Sequence, residues 1–124
     1  MKTVLIVEDN EKNMKLARDV LQAKGYRTFE ATTGEEGVKL AQEELPDLVL
    51  MDIQLPGISG IEAFRRLRAD ARTAKLPVAA LTASVTPTDR SAITAAGFDA
   101  FISKPINLKE FLDTVNRLVQ GGGQ

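Results

Sequence analysis

Short apolar runs alternate with amphipathic stretches along the chain. Val4 to Val7 is a block of consecutive apolar residues, too short for a helix and of the right length for a strand buried on both faces. Glu8-Asp9-Asn10 follows, and Asn10 can cap a helix from about Glu11 to Lys24, with Met14, Ala17, Val20 and Leu21 facing inward and Gly25 stopping it. Arg27 to Ala31 reads as a strand of mixed polarity nearer an edge. Thr33 and Glu36 carry the capping-box spacing for a helix that turns Val38, Ala41 and Leu45 inward and ends at Pro46. Leu48 to Met51 is a second wholly apolar strand. It stops at Asp52, and Pro56, Gly57 and Gly60 punctuate the loop beyond it.

Ser59 and Glu62 repeat the capping-box spacing, and Ile61, Phe64 and Leu67 give the third helix its apolar stripe. Leu76 to Leu81 reads as the fourth strand and leads into Thr82-Ala83-Ser84. Thr86 with Pro87 fits a cap followed by proline at the first helical position, and Gly97 closes this fourth helix. Its few large apolar residues predict a mobile element. Ala100 to Ser103 is the fifth strand and ends in Lys104-Pro105. Asn107 and Glu110 start the last helix, with Leu108, Phe111, Leu112, Val115, Leu118 and Val119 facing in, before the Gly121 to Gly123 run frays. Short apolar strands alternating with helices predict an α/β, doubly wound fold with a parallel sheet covered on both faces.

Composition narrows the chemistry. At 124 residues the chain holds one domain with a real core, and 44% apolar with 27% charged residues is ordinary for a globular protein. The net charge of -1 gives no electrostatic reason to expect nucleic acid or a membrane surface. Four apolar residues near the start cannot form a signal peptide or a membrane span, so a cytoplasmic location is expected. Cysteine and histidine are both absent, which removes disulfides, thiolate or imidazole metal sites and triads with histidine. Carboxylates, lysines and hydroxyls remain.

Parallel strands place their carboxyl ends on one edge, where ligands bind in such folds. The strand ends here carry Glu8 and Asp9, Asp52, Thr82, and Lys104. Three converging carboxylates repel one another, and a hard divalent cation resolves the conflict; magnesium suits an oxygen-only set that leaves positions for water or phosphate. Each residue alone has an ordinary explanation as a helix cap, a solvated loop residue or a salt bridge. Capping suffices for Ser59, Ser84, Thr33 and Asn107, although Ser84 could also line the site. The joint placement of the five carries the functional reading.

These residues resemble the receiver domains of two-component response regulators: the acidic pair after VLIV, Asp52 in LMDIQLPGISG, Thr82-Ala83 after the fourth strand, and Lys104-Pro105 after FIS. The wording of VEDNEKNMKL, MDIQLPGISG and ISKPI is most similar to stand-alone cell-division regulators of the DivK type and to receivers attached to hybrid kinases. The resemblance implies a flavodoxin-like five-stranded parallel sheet of strand order 2-1-3-4-5, with residues 1–120 forming the receiver domain and 121–124 a flexible tail. It implies that Asp52 is the phosphoacceptor, fed from a phosphohistidine on a histidine kinase or histidine phosphotransfer protein. Asp9, Asp52 and the backbone carbonyl of Gln54 would then bind Mg2+ directly and Glu8 through water. Lys104 and the Thr82 hydroxyl would each contact a phosphoryl oxygen, and small Ala83 would leave room for the group.

The same resemblance implies a switch in which Thr82 moves inward and Phe101 follows, although ordinary strand packing explains Phe101 equally well. Lys104-Pro105 is expected to be a cis peptide that aims the ammonium into the pocket. By the same resemblance, Gln54 and Ser84 are the residues expected to bear on phosphoryl lifetime. The output expected is protein binding by the face of the fourth helix, fifth strand and fifth helix, in a monomer or weak dimer, with no enzymatic turnover beyond the chain's own phosphorylation and dephosphorylation. A receiver excised from a hybrid kinase or longer regulator is the alternative. A magnesium-dependent phosphatase of the haloacid dehalogenase type fits less well, because Gln54 stands where a second aspartate is needed. A flavodoxin-like redox module lacks a phosphate loop after the first strand, where Glu8 and Asp9 would repel a flavin phosphate. A degenerate receiver would have lost the acceptor or the lysine.

Overall fold

The computed structural model describes residues 2–83 and 86–121. Strands and helices alternate as β1 (Thr3–Val7), α1 (Glu11–Ala23), β2 (Arg27–Ala31), α2 (Gly34–Glu44), β3 (Leu48–Asp52), α3 (Gly60–Ala69), β4 (Val78–Thr82), α4 (Pro87–Ala96), β5 (Ala100–Ser103) and α5 (Leu108–Gly121). The five strands form one parallel sheet in the order β2-β1-β3-β4-β5, as expected. Ser84 lies outside the described residues, as do residues 122–124 of the expected tail; Gly121 forms the last residue of α5.

The period-two alternation of the strands divides the core into two layers. Val4, Ile6, Leu48 and Leu50 pack with Met14, Ala17 and Leu21 of α1 and Phe111, Val115 and Val119 of α5. Leu5, Val7, Val49 and Met51 face the opposite way, onto Val38 and Ala41 of α2 and Ala63, Phe64 and Leu67 of α3. Both sides of β1 and β3 are therefore dry, which is why their sequences are continuously apolar rather than alternating.

The helix starts follow the predicted caps. Side-chain oxygens of Asn10, Thr33, Ser59, Thr86 and Asn107 each accept from the backbone N–H three residues on. Two predicted core positions are exposed instead. Leu45 is 55% exposed: it is the C-cap of α2 with a left-handed backbone (φ 46), so the chain has left the helical spiral and the side chain leaves the inward stripe, while Pro46 is buried in its place. Leu108 is 51% exposed because it opens α5, where side chains lean back past the end of the helix and beyond the core. Ile93 alone is fully buried in α4, in keeping with the sparse anchoring predicted there.

Candidate functional site

Sheet hydrogen bonding carries the chemistry to one edge. Beyond the last residues of the strands, Glu8 N–H donates to Ala31 O at 3.0 Å, Ile53 N–H to Leu81 O at 3.0 Å and Lys104 N–H to Thr82 O at 2.8 Å. These bonds pin the chain at the point where it leaves the sheet. Asp52, paired with Leu81 across β3 and β4, ends a strand with no exposed residue. Glu8, Asp52 and Thr82 are consequently buried although polar, whereas Asp9 is exposed.

The carboxylates of Glu8, Asp9 and Asp52 each place an oxygen within 4.8 Å of the others. Lys104 Nζ lies 2.6 Å from Glu8 Oε1 and 3.1 Å from Asp52 Oδ2. Only the second contact has the angles of a hydrogen bond, so Glu8 Oε1 is buried without a donor directed at it. Glu8 Oε2 accepts from Asn10 N–H at 3.1 Å, and Asp52 Oδ1 accepts from Gln54 N–H at 3.0 Å. Burial, followed by the closeness of Asp52, pushes the Glu8 carboxyl above its ordinary range despite Lys104 and the Asn10 amide. Burial disfavours the Lys104 ammonium, but the two carboxylates outweigh it and hold its pKa above the usual lysine value. A buried oxygen that meets a shared ammonium without hydrogen-bond geometry, in an oxygen-only set with one ammonium against three carboxylates, fits a hard divalent cation.

The Lys104-Pro105 peptide is cis. Thr82 lines a cavity of about 90 Å3 with Gln54, Ile53, Ile61, Ala92 and Ile93, between the sheet edge and α4. Ala83 is exposed and Phe101 half-buried on β5. The Arg90 guanidinium, 5.0 Å from the Phe101 ring centroid, covers that ring in a cation–π contact. Sequence reading missed Arg90, because nothing in its spacing marks a residue on α4 as the cover of a ring on β5.

A buried aspartate at the end of the central strand, two acids after β1, a threonine ending β4 and a lysine before a cis proline define a receiver. The chain belongs to the response regulator receiver domain family, which it matches over residues 4–116. It is 47% identical over 114 residues to the polar-differentiation response regulator DivK of Brucella ovis, covering 92% of this chain and 93% of that protein. The receiver domain of a sensor histidine kinase from Pseudomonas aeruginosa, solved with a magnesium ion coordinated in its active site cleft, is 31% identical with a TM-score of 0.90, covering 96% of this chain and 98% of that one. Chemotaxis protein CheY4 of Vibrio cholerae is 27% identical with a TM-score of 0.89, covering 95% and 98% respectively.

Proposed function

We propose that Asp52 accepts a phosphoryl group from the phosphohistidine of a partner histidine kinase or histidine phosphotransfer protein, and that the modified domain controls a second protein by contact. The observation that carries this reading is the Asp52 carboxylate, 4% exposed, held by the Lys104 ammonium and the Gln54 N–H beside two further acids. In the transfer, an Asp52 oxygen forms the bond to phosphorus as the N–P bond of the donor breaks and its electron pair returns to the imidazole. Such a transfer needs little covalent help, so the site works by positioning and charge neutralisation. Lys104 would meet one phosphoryl oxygen and the Thr82 hydroxyl another. A magnesium ion held by Asp9, Asp52 and the Gln54 carbonyl, with Glu8 acting through water, would supply further neutralisation of the transferring oxygens.

Phosphorylation adds close to two negative charges and three acceptor oxygens beside Thr82, which gives that residue a reason to move. Thr82 and Phe101 then act as the switch, and α4, β5 and α5 form the output face, where a groove of about 260 Å3 runs between Arg90, Phe101, Ser103, Glu110 and Asp113. A cytoplasmic setting belongs to the same reading; among the described residues no helix is long and apolar enough to cross a membrane.

Incubation with magnesium and acetyl phosphate, followed by intact-mass measurement, tests the acceptor. A single phosphoryl adduct is expected, lost on Asp52→Ala and on chelation. An undiminished adduct in Asp52→Ala would overturn the assignment.

A further inference from the structure

The loop that follows Asp52 is wedged between two helix starts, and glycine makes both approaches possible. Gly60 opens α3, and its N–H donates to Ile53 O at 3.0 Å. A Cβ here would stand 2.1 Å from Asp52 O, 2.8 Å from Ile53 Cα and 2.9 Å from Asp52 C. All three are main-chain atoms, so no change of rotamer makes room. Gly34 opens α2 on the other side of the loop. Its Cβ would stand 2.6 Å from Ile58 Cγ1 and 3.1 Å from Ile58 O, so the first obstacle there is a side chain.

We infer that Gly60 and Gly34 are positioning residues for the phosphoacceptor site, fixing the loop of residues 53–59 against the starts of α3 and α2 so that Asp52 and the Gln54 backbone keep their geometry. This rests on the reading of Asp52 as acceptor. Accommodating any side chain at position 60 requires the Asp52-Ile53 peptide to move by about 1 Å, a displacement that can cost on the order of a hundredfold in a positioned reaction. That peptide carries the Ile53 N–H, which donates to Leu81 O at 3.0 Å, and the next one carries the Gln54 N–H, which donates to Asp52 Oδ1 at 3.0 Å, so both bonds depend on where it lies. The helix start thus sets the aim of the carboxylate without touching the phosphoryl group.

Gly60→Ala, Gly34→Ala, the double variant Gly34→Ala with Ile58→Ala, and Ser59→Ala test this. Ser59→Ala removes the α3 cap and weakens the same helix without entering the Asp52 contact. Three properties of each folded variant are measured: the Gln54 amide resonance in metal-free protein, the affinity for magnesium, and the rate of phosphorylation by acetyl phosphate. Gly60→Ala is expected to shift the Gln54 amide and to lower affinity and rate by about tenfold or more. Gly34→Ala should have a smaller effect of the same kind, which Ile58→Ala relieves; Ser59→Ala should lower the melting temperature alone. A folded Gly60→Ala with wild-type magnesium affinity and Gln54 amide would overturn the inference. If Gly60→Ala does not fold, the Gly34 cycle decides: wild-type affinity in Gly34→Ala, or a loss that Ile58→Ala leaves in place, overturns it as well. Failure of the acceptor reading is distinct, because wild-type protein would then take up no phosphoryl group or Asp52→Ala would keep the adduct.

Discussion

The two ends of the sheet use the same residue type in opposite ways. At the amino end, acids are matched by donors. Asp47 Oδ2 accepts from Thr3 N–H at 2.8 Å, and Asp99 Oδ2 accepts from Val78 N–H at 2.8 Å and from Arg68 Nη2 at 3.0 Å. Arg68 also donates to Leu76 O at 2.7 Å and lies 4.6 Å from the Phe64 ring centroid, tying α3 to the entries of β4 and β5. At the carboxyl end, Glu8 and Asp52 are buried around one shared ammonium, and Glu8 Oε1 meets it only as an ion pair at 2.6 Å. A carboxylate whose oxygens meet donors fixes structure; one buried with too few keeps a demand that a cation or phosphoryl group can meet.

If that contrast is right, breaking the amino end costs stability and leaves the chemistry intact. Arg68→Ala removes charged hydrogen bonds to Asp99 and Leu76 and the stack on Phe64, and should lower unfolding free energy by about 2 kcal/mol in urea titration. Phosphorylation of the folded variant by acetyl phosphate should proceed at the wild-type rate. A stable Arg68→Ala would mean that the amino-end network is decorative.

Relaxing the carboxyl end should do the reverse. Glu8 has its folded-state pKa raised above the ordinary 4.5, chiefly by burial. A raised carboxyl favours the folded state fully below its unfolded pKa, and that contribution is lost as pH rises through the folded value. Glu8→Gln has no such loss. In metal-free buffer its melting temperature should match wild type in acid and exceed it at neutral pH, with weaker magnesium binding as the accompanying cost. Equal stability of the two proteins at neutral pH would show that Lys104 already neutralises Glu8 in full.

The contrast was half visible in the sequence. The reactive end is written locally: Asp52 directly follows LVLM, Glu8 directly follows VLIV, and Lys104 directly follows FIS, so strand assignment alone brings them together. The caps were equally legible, since each is a polar residue three positions before its amide partner. The amino end was not, because Arg68 meets Asp99 across 31 residues of sequence with no spacing that marks the pair. The glycine contacts of Gly60 and Gly34 were hidden for a related reason: whether a glycine is required depends on which atoms lie opposite it, and those belong to other elements. Leu45 and Leu108 misled at helix ends, where the periodicity that places a side chain inward no longer governs the backbone.

The mildest test concerns an acid that is matched yet faces solvent. Asp70, the C-cap of α3, accepts from Arg72 Nη2 at 2.8 Å, from the Arg72 side chain again at 3.1 Å and from its backbone N–H at 2.8 Å. These donors hold its pKa down to about 2. A depressed carboxyl contributes stability above its unfolded pKa and loses it as pH falls through the folded value, so any contribution here should persist down to strongly acid pH. Because the pair is open to water, screening should leave almost nothing of it in thermal melts near neutrality. Carboxyl chemical shifts followed by NMR should show Asp70 titrating near 2 in wild type and higher in Arg72→Ala, which loses the side-chain donors and keeps the backbone N–H, with the melting temperature at neutral pH unchanged. A clear loss of melting temperature in Arg72→Ala would place this pair with Arg68 and Asp99 as part of the fold; an unmoved Asp70 titration would show that the two side chains do not pair in solution.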